Sequence, residues 1–150
     1  MMQLKVKYLF PNIPELISAD GDSGYDIRAA IDKPLIIHAG ERATVQTGIA
    51  VEIANAPAGL SSISAELQVR PRSGWTQRGL IAQFGTIDAS YRGEIWVTLF
   101  NASKEDITIE PLARIAQIVV CPIFKPTITT AKELTATARG ANGFGSTGDK

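Results

Sequence analysis

The chain has 150 residues, enough for one domain with a substantial core. Lysine plus arginine and aspartate plus glutamate both total 15, so the formal net charge is zero. That balance gives no global case for nucleic-acid or membrane binding and confines any anion site to a local cluster. The one cysteine, Cys121, excludes an intramolecular disulfide. Within the run Ile118-Val119-Val120-Cys121-Pro122-Ile123 it reads as a buried, inert thiol, compatible with a reducing compartment. The one histidine, His38, leaves neither a His-rich metal site nor a Ser-His-Asp triad. Residues 1–7 alternate instead of forming the apolar stretch of a signal peptide, and no segment reaches transmembrane length.

Along the chain, period-two alternation dominates. Leu4, Val6 and Tyr8 share one face of the first predicted strand. Short strands are predicted at 35–38 and 43–53. Ile63, Ala65, Leu67 and Val69 then alternate with Ser64, Glu66, Gln68 and Arg70. Residues 73–78 suit a short helix with Ser73 as its N-cap. Ile95, Val97 and Leu99 alternate with Trp96, Thr98 and Phe100, which predicts a strand covered on both faces. Further strands are predicted at 107–109, 113–121 and 127–134. Proline and glycine punctuate the runs, among them Pro34, Gly40, Pro71, Gly85, Gly93, Pro122 and Pro126. Many short strands with frequent turns predict an all-β antiparallel sandwich or barrel. No long amphipathic helix, internal repeat or linker interrupts it. Alternation fades near Leu134, dividing a β-domain, 1–134, from a C-terminal arm, 135–150.

The arm carries the densest chemistry. Gly140, Gly143, Gly145 and Gly148 let backbone N–H groups converge, and such concave arrangements hold phosphate oxygens. Ser146 and Thr147 add hydroxyl donors, Arg139 adds a fork suited to phosphate, and Phe144 can stack on a base. By composition alone, a disordered terminus competes with this reading. Gly143, Gly145 and Gly148 satisfy the dinucleotide spacing, but only Asp149 and Lys150 follow, so the required helix is missing. No lysine stands where a P-loop needs one.

Four further segments are too polar or glycine-rich for their surroundings. In Ser23-Gly24-Tyr25-Asp26-Ile27, Asp26 is either an exposed strand carboxylate or a site residue. In Pro71-Arg72-Ser73-Gly74, an arginine, a hydroxyl and a glycine open a helical turn, either as an ordinary cap or as an anion site. The stretch from Gly85-Thr86-Ile87-Asp88 to Tyr91-Arg92-Gly93 reads as a hairpin. It is either a solvated turn or a pocket wall with Asp88 as a base. In Arg114-Ile115-Ala116-Gln117, the amide of Gln117 interrupts an apolar strand and needs partners.

Taken in this order, the four segments and the arm resemble the five motifs of the trimeric dUTPases, spanning residues 18 to 148. The resemblance implies a distorted jelly-roll, a homotrimer, and active sites built from two subunits and closed by the arm of the third. It implies hydrolysis of dUTP to dUMP and pyrophosphate with Mg²⁺. That reaction limits uracil incorporation into DNA and supplies dUMP for dTMP synthesis. It assigns Asp88 as the base for the attacking water. Arg72, Ser73, Gly74 and Gln117 contact the phosphates; Arg139, Gly145, Ser146 and Thr147 clamp them as the arm closes; Phe144 stacks on uracil. Gly85, Thr86 and Ile87 read the uracil edge, and Tyr91 packs on deoxyribose and excludes a 2′-hydroxyl. Mg²⁺ is held mainly by phosphates and water, with Asp26 at most in its outer shell. The implied setting is cytoplasmic, or nuclear or organellar in a eukaryote, without direct nucleic-acid or membrane binding.

The chain departs from the family pattern in places. Trp75 stands where leucine is usual, Asn142 replaces a glycine, and Ala89-Ser90 replaces a more acidic pair. The rivals are dCTP deaminase, which shares the fold but uses a glutamate at the hairpin, a nucleotide-responsive binding module, and a structural jelly-roll without ligand.

Overall fold

The computed structural model describes residues 2–54 and 63–142. In chain order the elements are β1 (Gln3–Tyr8), β2 (Tyr25–Arg28), β3 (Leu35–Ile37), β4 (Arg42–Ala54), β5 (Ile63–Arg70), α1 (Ser73–Gln77), β6 (Leu80–Ala82), β7 (Gly85–Ile87), β8 (Glu94–Asn101), β9 (Ile107–Ile109) and β10 (Arg114–Phe124). One four-stranded sheet runs β1-β4-β8-β6, a second runs β2-β10-β5-β7, and β3 pairs with β9 in a small third. All pairings are antiparallel. From β4 to β8 each successive strand changes sheet, the connectivity of a distorted jelly-roll.

Alternation decides which face each strand buries. Ile95, Val97 and Leu99 of β8 and Ala65, Leu67 and Val69 of β5 point inward and are buried. They meet Ile27, Ile115 and Ile118 from β2 and β10, and Ile37 and Ile109 close the end of the core. Each buried Ile, Leu or Val side chain contributes about 1.5–3 kcal/mol. Among the described residues, the two buried polar side chains are satisfied. Thr47 Oγ1 donates to the Ile95 carbonyl at 2.6 Å, and Asn101 Nδ2 donates to the carbonyls of Ile37 and Glu105 at 2.9 and 2.8 Å. His38 pairs with Asp106 at 2.9 Å on the surface. The hydrogen bond and charge of Asp106 raise the imidazole pKa above its ordinary value.

Several expectations need correction. The helix begins at Ser73 with Arg72 at the N-cap position, and no side chain caps it. Residues 127–134 form no strand: Pro126 cannot donate to a ladder, Ile128 and Leu134 are 94% and 89% exposed, and the segment pairs with no described strand. The segment after Gly85 is not a hairpin, because β7 pairs with β5 while β8 lies in the other sheet. It is a loop crossing the sandwich. Strand β8 is covered on one face only, since Trp96 and Phe100 are 49% and 42% exposed. Cys121 is half-buried, its Sγ accepting from Arg70 Nη2 at 3.3 Å.

Candidate active site

The order of the second sheet assembles the first half of the site. Strand β10 lies between β2 and β5, with Gln117 opposite Asp26 on one side and Arg70 on the other. Residues directly opposite share a face, so Asp26 and Gln117 stand side by side. Just past the end of β5, Pro71 lacks an N–H and ends the ladder, and α1 follows. The result is a cavity of about 460 Å³ whose lining includes Gly24, Asp26, Arg72, Ser73, Arg114 and Gln117.

Both arginines of the lining converge on one carboxylate, Asp26. Asp26 Oδ1 accepts from Arg72 Nε at 2.7 Å and Asp26 Oδ2 accepts from Arg114 Nη1 at 3.2 Å. The lining sets two guanidinium groups against two carboxylates, Asp22 and Asp26, and Asp26 fixes the direction of both forks. Gln117 Nε2 donates to the Pro71 carbonyl at 3.0 Å, tying β10 to the turn that carries Arg72. Gly24 is required by close approach: a Cβ there would lie 2.8 Å from Gln117 Oε1 and 3.0 Å from the Ile118 carbonyl. At Gly74 a Cβ would meet nothing within 4 Å, so this position stays open toward the cavity.

The second half lies on the loop between β7 and β8. Thr86, Ile87, Asp88, Tyr91, Glu94, Ile95 and Trp96 line a cavity of about 290 Å³. The Tyr91 N–H donates to the Asp88 carbonyl at 2.9 Å, closing a turn that presents the Asp88 side chain to solvent. Tyr91 Oη donates to the Glu94 carbonyl at 3.0 Å, laying the ring along the loop. A Cβ at Gly93 would collide with that ring. Arg92 Nη1 donates to the carbonyls of Ala89 and Tyr91 at 2.6 and 2.8 Å. The Glu94 carboxylate is committed elsewhere: Oε1 accepts from the Gly48 N–H at 2.8 Å and Oε2 from Gln46 Nε2 at 3.5 Å. It bridges the register shift between Gln46 and Ala50 of β4.

The structure therefore gathers Arg72, Ser73, Gly74 and Gln117 with Asp26 around one cavity, and Thr86, Ile87, Asp88 and Tyr91 around another. Gly85 lies at the start of β7, opposite Val69, outside both linings. The two cavities share no lining residue. Ile87 pairs with Leu67, five residues before Arg72, about 16 Å along an extended strand. Within one protomer Asp88 thus faces a different cavity from the arginines. Arg139 is exposed, its Nε donating to the Asn142 carbonyl at 3.0 Å. Phe144, Gly145, Ser146 and Thr147 lie outside the described residues. Among the described residues no group of three or more His, Cys, Asp or Glu side chains is placed to hold a metal, and no helix is long and apolar enough to cross a membrane.

Sequence reasoning quoted Arg114 without giving it a role, yet it supplies half of the arginine fork. Its place opposite Arg28 at the start of β10 puts it near Asp26, which only the strand register reveals.

Comparison with known proteins agrees with this geometry. The sequence matches the dUTPase family over residues 13–148. It is 40% identical to the deoxyuridine 5'-triphosphate nucleotidohydrolase of Bdellovibrio bacteriovorus, across 96% of this chain and 93% of that one. It is 46% identical to the Chlamydia trachomatis protein of the same name, across 92% of each. The structure is similar to that of the Staphylococcus bacteriophage 80alpha dUTPase with dUpNHpp, at a TM-score of 0.80 and 28% identity, covering 97% of this chain and 98% of that one. On these matches, over nearly its whole length, the chain belongs to the dUTPase family.

Proposed function

We propose that this protein hydrolyses dUTP to dUMP and pyrophosphate, in sites completed between copies of a homotrimer. The observation that carries the reading is the division of the site on one protomer. An arginine fork suited to phosphates occupies one cavity, and a carboxylate beside a tyrosine wall occupies another. A second copy that docks the Asp88 loop against the arginine cavity would supply what one protomer lacks. The outward faces of Trp96 and Phe100 offer apolar surface for such contact.

In the assembled site Arg72, Arg114, Ser73 and Gln117 hold the phosphate chain, and the Gly85–Ile87 backbone reads the uracil edge. Tyr91 packs on the deoxyribose. Mg²⁺ would be held mainly by phosphate oxygens and water, as a hard cation prefers, and would offset phosphate charge, while Asp26 orients the arginines. Asp88 takes a proton from a water whose oxygen bonds to the α-phosphorus. The bond from that phosphorus to the α–β bridging oxygen breaks, and the bridging oxygen leaves with pyrophosphate. Positioning and charge neutralisation supply most of the acceleration. Residues 135–150 act as the closing arm, with Arg139, Ser146 and Thr147 on the phosphates and Phe144 on the base. The setting of such an enzyme is the cytoplasmic nucleotide pool. Deamination of dCTP finds no support, because the Glu94 carboxylate is spent on Gly48 and Gln46.

Hydrolysis in ¹⁸O-water tests the reading. One labelled oxygen is expected in dUMP and none in pyrophosphate. Label in pyrophosphate, or no turnover of dUTP, would overturn it.

A further inference from the structure

Helix α1 carries Ser73 and Gly74 to the phosphate cavity, yet it is five residues long, buries none of them and has no side-chain cap. A single turn so built does not hold itself in place. Its hold on the sheet comes from flanking contacts. The Arg78 and Gly79 N–H groups close its last turn on Trp75 and Thr76, and Gly79, at φ +86°, accepts from the Ala102 N–H at 2.8 Å. At the cavity end the tie is Trp75. Its ring packs against the core, and Nε1 donates to the Arg114 carbonyl at 2.8 Å. The Arg78 guanidinium lies 4.4 Å from the ring centroid, on its face.

The Arg114 carbonyl is a junction. It also accepts from Arg72 Nη1 at 3.2 Å, so its two lone pairs are shared between the indole and the guanidinium. Both arginines in turn meet on Asp26. The indole N–H, the Arg114 backbone, Arg72 and Asp26 thus form one connected set, of which Trp75 itself does not line the cavity. The leucine usual in the family can pack here but cannot donate. We infer that Trp75 is a positioning residue: its indole N–H fixes the Arg114 carbonyl and thereby the aim of the two-arginine fork that takes the phosphates.

The inference rests on reading this cavity as the phosphate site, and the test separates the two. The probes are pyrophosphate, which needs only the fork, and deoxyuridine, which has no phosphate. Wild type, Trp75→Phe and Trp75→Leu are compared by calorimetry and by dUTP kinetics. Phenylalanine keeps an aromatic ring under Arg78 and removes the donor together with one ring of the indole; the deoxyuridine control reads the packing that goes with it. Loss of one neutral hydrogen bond corresponds to about a fivefold change. Pyrophosphate affinity is expected to weaken by about that factor in both variants, with deoxyuridine affinity unchanged. Because the fork grips the phosphates before and during reaction, KM rises by a similar factor and kcat stays within about twofold. Variants that bind pyrophosphate as wild type does would overturn the inference while leaving the site reading intact. Equal loss of pyrophosphate and deoxyuridine affinity would also overturn it, by marking Trp75 as a general packing residue. Wild type that fails to bind pyrophosphate would remove the phosphate-site reading and the inference together.

Discussion

Asp88→Asn is expected to lower kcat for dUTP by about 10²- to 10⁴-fold, the range over which a positioned general base acts. Binding of dUTP should stay nearly unchanged. The Asp88 side chain is exposed, and among the described residues no side-chain hydrogen bond ties it to the loop. The turn is closed instead by main-chain atoms, from the Tyr91 N–H to the Asp88 carbonyl, and by the Tyr91 hydroxyl on the Glu94 carbonyl. An isosteric amide therefore leaves the loop backbone in place and removes the basic carboxylate. Single-turnover hydrolysis and equilibrium binding, measured on one preparation, separate the two quantities. A variant with wild-type turnover would assign the base elsewhere. A variant that loses binding and turnover together would make Asp88 a structural residue of the loop.

Deletion of residues 139–150 is expected to cut kcat/KM by roughly 10²- to 10⁴-fold, from lost charge-assisted phosphate contacts and base stacking. The body should melt within a few degrees of the full chain. Among the described residues the last strand, β10, ends at Phe124, and residues 125–142 are exposed throughout, so residues 139–142 contribute no core side chain. The beginning of the arm shows how Asn142 is accommodated. The left-handed residue is Gly140, at φ +53°, while Asn142 donates its N–H to the Arg139 carbonyl at 3.2 Å and returns its own carbonyl to Arg139 Nε. Calorimetric melting alongside dUTP kinetics checks both halves of the expectation. Full activity in the truncated protein would remove the arm from the mechanism; a collapsed melting transition would make it part of the fold.

Sequence alternation was enough to place β5, β8 and β9, because a strand half-buried against one core writes its faces into every second residue. It did not reveal partners. Gly85–Ile87 and the strand beginning at Glu94 look like a hairpin in sequence, since both halves favour extended backbone and a turn lies between. Which sheet each joins depends on distant strands, β5 for one and β4 and β6 for the other. Residues 127–134 show the reverse error, where alternation without a partner edge yields no strand. For the site, the motifs single out Arg72, Gln117 and Asp88 as candidates through residue chemistry in a familiar order. The Arg114 fork and the Trp75 tie are not legible in the sequence, because each joins groups far apart in it: Arg114 and Asp26 across 88 residues, and the Trp75 indole and the Arg114 carbonyl across 39. The β10–β2 irregularity between Arg114 and Ala116 adds to this, burying Ile115 and Ala116 in succession where strict alternation would expose one.

The account stands most directly on pyrophosphate release with Mg²⁺ from dUTP, set against dTTP, dCTP and UTP at equal concentration. Release from dUTP with little from the other three is the predicted result. Rejection of the cytosine hydrogen-bond pattern should exceed rejection of the thymine methyl, because an unpaired polar group costs more than one methyl group. Absence of pyrophosphate release from dUTP, or equal release from UTP, would contradict the assignment of the two cavities to one dUTP site.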